Sequence, residues 1–474
     1  MTQPPPPPTP PEPDRVEIDG GEPNGFVVVA LDRDVDPDPA RDLADVLAAS
    51  LVEPVPARLL AVLAALGDPP TRRLVSPRSR DAVARLRERG RRGRPTPGRD
   101  LTRFWRIDLR DGRADPRVVA RRLQGLPGVD LAYAESQVVS ALTAPLPPDT
   151  TTPPDTTTPA TGQGPVALRL ATLAQGHLDK APDGVGADAV RTRCGAGGEG
   201  IRFADVEEAW RRSHPAYSAH APGMATAPPL DNRDLLGTFV GDHGTAVLGI
   251  VAATGSGVPV RGVAPRLASV FCSSHYDTAT GEELHTVDAI AEAVDRLEAG
   301  DVLLLEVQRP GEGGTRPLPT EIDPADFDAI SDATGAGIVV VEAAGNGTRD
   351  LDLWRHPTDG PLRAMRRDGP GDSRAIIVGS CVAKRFQDGH ARFPDSNWGE
   401  RVDCYAWGES VATAYATATT ADYTTGFNGT SAASAIVAGV AVATQGMQRA
   451  AHPGAPLDPP TMRDYLSGPA NTPQ

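Results

Sequence analysis

The stretch Phe427-Asn-Gly-Thr-Ser-Ala-Ala-Ser-Ala-Ile-Val-Ala-Gly439 joins a glycine-containing turn and two hydroxyl residues to an unbroken run of small and apolar side chains. Such a run predicts a tightly packed helix with Ser431 in its first turn. Backbone N–H groups there have no partner within the helix and carry the positive end of its dipole. They are the donors that an oxyanion beside a nucleophilic serine requires. In isolation a helix N-cap explains the same residues equally well, so the rest of the chain has to decide.

Working outward, apolar strands alternate with helical patterns from about residue 166 to the end, the signature of an α/β domain with a parallel sheet and helices on both faces. The expected strands are 200–204, 267–272, 301–307, 337–342 and 375–379, with helices over 244–253, 286–299 and 324–334. Ligands of such a sheet bind beyond the carboxyl ends of its strands. Four residues fall at those ends or at helix starts: Asp205, His243, Asn346 and Ser431. Acyl transfer by a hydroxyl needs a base, a carboxylate to orient that base and a donor to the oxyanion, and these residue types fill the roles. Each has a plain alternative. Asp205 reads as a strand cap, His243 as a helix-start residue bonded to backbone, and Asn346-Gly347 as a turn.

The order Asp, His, Asn, Ser, carried by Asp242-His-Gly-Thr-Ala-Val-Leu-Gly249, Ala343-Ala-Gly-Asn-Gly347 and Asn428-Gly-Thr-Ser-Ala-Ala-Ser-Ala435, resembles the subtilisin-like serine peptidases, the subtilases of peptidase family S8. Arg261-Gly-Val-Ala-Pro265 and Ser396-Asn-Trp-Gly399 are similar to further landmarks of the family. The resemblance implies a serine endopeptidase that hydrolyses peptide bonds through an acyl-enzyme. Ser431 would be its nucleophile, His243 its general base, Asp205 the carboxylate on that base and Asn346 the oxyanion donor. Three departures stand out: Val206-Glu-Glu208 follows Asp205, Ala432 and Ala435 replace the usual Met and Pro, and Leu305-Glu-Val-Gln-Arg-Pro310 occupies the strand that ordinarily offers backbone to substrate. Glu306 and Gln308, with Gly345, are therefore expected at the substrate, favouring a polar or basic side chain. A catalytically inactive peptide-binding module of the same fold is the alternative.

Residues 15–140 read as a small α+β unit. Strands at 26–31, 103–109 and 129–135 accompany helices at 41–51, 56–66 and 115–125, and the strands 103–109 and 129–135 are expected to pair. Its pattern is similar to subtilase propeptides, which implies an intramolecular inhibitor. The basic stretch 79–92 reads as a solvated face. A proline tract (1–14) and a Pro/Thr-rich linker (141–165) flank the unit, and the linker is the expected site of a releasing cleavage.

The 474 residues are 39% hydrophobic and only 4% aromatic, so the core relies on Ala, Val, Leu and Ile. The lysines are Lys180 and Lys384; arginine supplies the other positive charges. A net charge of -15 argues against a nucleic-acid partner. The start, Met1-Thr-Gln-Pro-Pro, has no basic or apolar leader, and no apolar run approaches spanning length, so a cytoplasmic protein without membrane association is expected. Cys194, Cys272, Cys381 and Cys404 lack zinc-ligand spacing and read as buried free thiols, a Cys381–Cys404 pair requiring an oxidising compartment. No metal ligand set or cofactor is assigned, although the resemblance leaves structural calcium open.

Overall fold

The computed structural model describes residues 23–32, 42–49, 55–93, 98–140, 174–217, 220, 225–227, 242–277, 282–283, 285–311, 316–356, 365–369, 371–386, 389–416 and 421–468. The proline tract and the Pro/Thr-rich linker lie outside them.

The N-terminal unit runs β1 (Pro23–Leu31), α1 (Leu43–Ala49), α2 (Val55–Ala65), β2 (Thr71–Arg73), α3 (Arg80–Gly93), β3 (Phe104–Asp108), α4 (Pro116–Gln124), β4 (Val129–Ser136) and the short β5 (Val139–Ser140). Its antiparallel sheet has the order β2-β3-β1-β4. The expected pairing of β3 with β4 is therefore corrected: β1 lies between them, with Val28 opposite both Arg106 and Tyr133. Helix α4, capped by Asp115 and entered through Pro116, makes the crossover. Arg106 nonetheless joins the two strands across β1, donating through Nε to Glu135 at 2.7 Å and through Nη2 to the other carboxylate oxygen.

The unbroken apolar run of β1 has a direct cause. Val27, Val29 and Leu31 pack with Leu43, Leu59 and Val119 beneath α1, α2 and α4, while Val28 and Ala30 pack with Phe104, Leu131, Tyr133 and residues of the C-terminal unit. Both faces of this sheet are buried, which abolishes the alternation a half-exposed strand would show.

The C-terminal unit is built on an eight-stranded sheet. Its elements are α5 (Ala187–Val190), β6 (Arg202–Glu207), β7 (Ala225–Ala227), α6 (Asp242–Ala252), β8 (Ser269–Ser274), a ribbon of β9 (Tyr276–Asp277) and β10 (Glu282–Glu283), α7 (Thr286–Val294), β11 (Val302–Leu305), β12 (Val307–Arg309), β13 (Leu318–Pro319), α8 (Pro324–Gly335), β14 (Val339–Ala343), β15 (Ile376–Phe386), β16 (Gly389–Arg392), β17 (Cys404–Trp407), the hairpin β18 (Val411–Ala416) and β19 (Ala421–Phe427), α9 (Gly429–Ala451) and α10 (Pro459–Ser467). The strand order is β16-β15-β14-β11-β6-β8-β7, with β17 also on β15, and all pairs but β15–β16 are parallel. Alternate strand residues sort to two faces: Phe203, Leu304 and Val341 join α6 and α9, and Ala204, Leu303 and Val340 join α7 and α8. The expected strands and helices are present with shifted ends, except that 301–307 is corrected to two strands, β11 and β12, which lie in different sheets. The shift that matters is in β6, which continues to Glu207.

Helix α9 is long and apolar enough to cross a membrane, yet 83% of its most apolar window is buried, as a core helix between α6 and the sheet. The four cysteines are free, Cys194 exposed and the others buried.

The basic helix α3 is solvated on one face, where Arg85, Glu88, Arg91 and Arg92 are exposed, and docked on the other. Ser76 and Ser79 just before it donate to Asp288 and Glu292, and Arg85 donates to Asp295, all on or next to α7. Its backbone comes so close to α8 that a Cβ on Gly90 would lie 2.6 Å from the Asp332 carbonyl oxygen. Tyr133 donates to Asp323 at 2.9 Å, and Arg309 donates to the Ser136 carbonyl at 2.9 Å.

Candidate active site

The site forms where the sheet order reverses, between β6 and β11 at their carboxyl ends, as parallel sheets favour. Parity decides which side chains face it. Asp205 and Glu207 share the face of Phe203, toward α6 and α9, and Glu306 follows Leu305 onto that same face.

His243, in the first turn of α6, is 4% exposed. Its Nδ1 makes a short hydrogen bond to Glu207 Oε2. This corrects the sequence expectation, which put Asp205 on the imidazole. Asp205 instead accepts from Trp210 Nε1 at 2.7 Å, and its Oδ1 has no hydrogen-bond partner among the described residues. The signal for Glu207 was the alternation Asp205-Val206-Glu207: a buried Val between two acids continues the strand and carries the second acid to its end. Gly244 lets α6 start this close, since a Cβ there would lie 2.4 Å from the Ala209 carbonyl oxygen.

Ser431 lies inside the first turn of α9, fully buried. Its Oγ and the Nε2 of His243 are both without a hydrogen-bond partner among the described residues. The imidazole packs edge-on against Phe427, 5.3 Å between ring centroids, at the end of the strand that leads into α9. Asn346 is held at the same helix start: its Oδ1 accepts from Thr430 N–H at 2.9 Å and from Thr430 Oγ1 at 3.1 Å. An N–H must meet oxygen, so this contact fixes the amide orientation and leaves Nδ2 as a donor. Gly345, at φ +93°, supports the turn, and its carbonyl accepts from Asn397 N–H. Asn397 was missed as a positioning residue. Its Nδ2 donates to the Pro317 and Ala344 carbonyls, and its Oδ1 accepts from Arg349 N–H.

Glu306 and Gln308, expected at the substrate, are both fully buried. Glu306 Oε1 lies 2.6 Å from Ser434 Oγ, and Gln308 Oε1 accepts from the backbone N–H of Asn346 at 3.2 Å. The edge of β12 is already taken: β5 pairs with it antiparallel, Ser140 opposite Val307 and Val139 opposite Gln308.

Burial dominates the electrostatics. It raises the carboxyl of Glu207 well above its ordinary range, with Glu208 and Asp242 adding to the effect. Asp205 is likewise raised, by burial and then by the charge of Glu207, against the pull of Trp210 and His243. At the seam with the N-terminal unit, His285, Asp323 and Asp326 approach closely enough to hold a metal ion. Arg309 already supplies a cation there, bonding Asp326, and Tyr133 bonds Asp323. These residues fit a charge-paired seam better than a metal site.

Residues 229–472 match the subtilase family. The chain belongs to this family of serine peptidases. The match begins after β6, so the strand that carries Asp205 and Glu207 lies outside it. A subtilisin-like protease of Coccidioides posadasii (strain C735) is 31% identical over 250 residues, 52% of this chain and 53% of that protein. The chain thus spans about half the length of the curated relative it matches. Among solved structures, fervidolysin from Fervidobacterium pennivorans, a keratinolytic enzyme related to subtilisin, aligns over 95% of this chain and 58% of its own, with 15% identity and a TM-score of 0.52. A cold-adapted subtilisin-like serine proteinase aligns over 58% and 83%, with 18% identity and a TM-score of 0.39. The fervidolysin likeness is one of fold.

Proposed function

We propose that this chain is a serine endopeptidase whose triad is Glu207, His243 and Ser431, with Asn346 as an oxyanion donor. The observation that carries the reading is the imidazole of His243: one nitrogen is bonded to a buried carboxylate, and the other is left without a partner, as is the hydroxyl of Ser431. Leaving two buried polar atoms unpaired is costly, and a small movement that joined them would satisfy both. In this reading His243 takes the Ser431 proton as Oγ attacks a peptide carbonyl, and Glu207 stabilises the imidazolium that forms. The N–H of Ser431 itself, in the first turn of α9, and Asn346 Nδ2 receive the oxyanion. His243 then returns the proton to the departing amine, and water releases the acyl group.

The N-terminal unit restrains this activity. Strand β5 covers the edge of β12 on which an extended peptide would lie, beside Gln308 and Gly345. Cleavage in the linker that follows would free that edge. A catalytically inactive peptide-binding module is the second reading, favoured by the Ser431 hydroxyl being sealed and unbonded. A fluorophosphonate probe separates the two. Covalent labelling that is lost in Ser431→Ala supports the peptidase, and a linker-cleaved protein that takes no label rejects it.

A further inference from the structure

Three carboxyl groups crowd one imidazole. Asp205 and Glu207 come from β6 and Glu306 from the end of β11; none is more than 1% exposed, and His243 is the basic group that faces them from α6. Ser434 on α9 is hydrogen-bonded to Glu306. Glu207 already holds the imidazole. A second or third anion would lie in the same dry space with no cation of its own among the described residues, and an unpaired buried charge is costly.

The hydrogen bonds at Ser434 bear on the same question. Its Oγ is 2.6 Å from Glu306 Oε1, 2.8 Å from the Thr430 carbonyl and 3.1 Å from the Ser431 carbonyl. The hydroxyl has a single hydrogen, and carbonyls only accept. Were Glu306 ionised, it would take that hydrogen on one oxygen while Oε2, which has no partner among the described residues, stayed a bare buried anion. With the proton on Glu306, Oε1–H donates to Ser434 Oγ and Ser434 donates onward to the Thr430 carbonyl, so every hydrogen in the chain is used.

We propose, resting on the peptidase reading, that Glu306 is a neutral carboxylic acid in the working enzyme and a positioning residue for Ser431. The chain Glu306 to Ser434 to Thr430 ties the end of β11 to the helix turn that carries the nucleophile. Burial first, then the carboxyls of Asp205 and Glu207, push Glu306 well above the ordinary carboxylate range, against the pull of His243 and Ser434. Its role is therefore hydrogen bonding to the helix, not a negative charge offered to substrate.

The infrared test uses the full chain, and the kinetics use the same chain after cleavage in the linker. Infrared spectra of wild type minus Glu306→Gln at neutral pH are expected to show the carbonyl stretch of a protonated, buried carboxylic acid. In kinetics on the cleaved enzyme, Glu306→Gln, which keeps a neutral donor, is expected to hold kcat within about threefold and leave the acid limb of kcat/KM in place. Glu306→Ala is expected to lower kcat about tenfold or more with KM little changed, because the turn bearing Ser431 loses its tie. The proposal is overturned by a difference spectrum without the acid band, or by an acid limb displaced about half a pH unit or more to lower pH in Glu306→Gln, the signature of a lost negative charge beside the imidazole. Where Glu306→Gln does not fold, Ser434→Ala serves, since loss of the acceptor must shift the same band. A linker-cleaved wild type that takes no fluorophosphonate label would sink the peptidase reading alone, while the infrared band still decides the protonation of Glu306.

Discussion

Glu207 and Asp205 stand two positions apart on one strand, equally buried, and only one of them meets the imidazole. Glu207→Gln is therefore expected to reduce kcat/KM about 10⁴-fold, the scale seen when a triad carboxylate becomes an amide, whereas Asp205→Asn is expected to stay within about tenfold. Steady-state turnover of a peptide substrate checks both. Because burial raises the Glu207 carboxyl, it takes up its proton at a higher pH than an exposed glutamate, whose ordinary value is about 4.3. Activity that needs the carboxylate must accordingly fade, as pH falls, at a higher pH than an exposed acid would allow, and a pH–rate profile reads this directly. Asn346→Ala is expected to lower kcat about 10²–10³-fold, a magnitude carried over from the corresponding donor in a subtilisin. Ser431, His243 and Asn346 were legible because each is framed by glycines and small residues that only a crowded turn or helix start requires. The acid was not, because Asp205 and Glu207 have the same parity, and where the strand ends is settled by pairing with β8 and β11 and not by local residues.

Among the elements, α3 is the one whose surroundings the chain conceals. A helix dense in arginine reads as solvated, and its complement of Asp288, Glu292 and Asp295 lies some 200 positions downstream, beyond the reach of any local pattern. The close approach of α3 to α8 makes a sharp test. Gly90→Leu introduces a side chain where even a Cβ meets Asp332 backbone, and overpacking of this kind costs about 1–3 kcal/mol. The substitution is expected to loosen the N-terminal unit and raise peptide turnover by the full-length chain, whereas unchanged turnover would separate α3 docking from restraint. Within that unit, Arg106→Ala strands Glu135 as a buried, unpaired charge at a cost of about 3–5 kcal/mol. Urea denaturation is expected to show an earlier transition for it.

For the whole molecule, buried acids of opposite tendency set the pH of greatest stability. Burial foremost raises Asp205, Glu207, Glu306 and Glu342, so the folded state keeps protons that the unfolded chain loses. Their contribution is full below the unfolded carboxylate range, about 4, and declines as pH rises through the raised folded values. Glu135 and Asp372 behave oppositely: Arg106, and Arg401 with Arg463, outweigh burial and lower them, and their contribution is lost as pH falls through the lowered folded values. The melting temperature is therefore expected to peak on the acid side of neutrality, and calorimetry across the range would contradict this if the peak lay at alkaline pH.

The N-terminal sheet is sandwiched, with helices of its own above and the C-terminal unit below. Once severed and lifted away, that piece would present Val28, Ala30, Phe104, Leu131 and Tyr133 to water as one oily plane, with Glu135 and Arg106 newly wetted at its margin. A fragment so made is expected to clump or be digested before it can return, which light scattering after cleavage would reveal. Unlocking would then run in one direction, like a seal that cannot be pressed back.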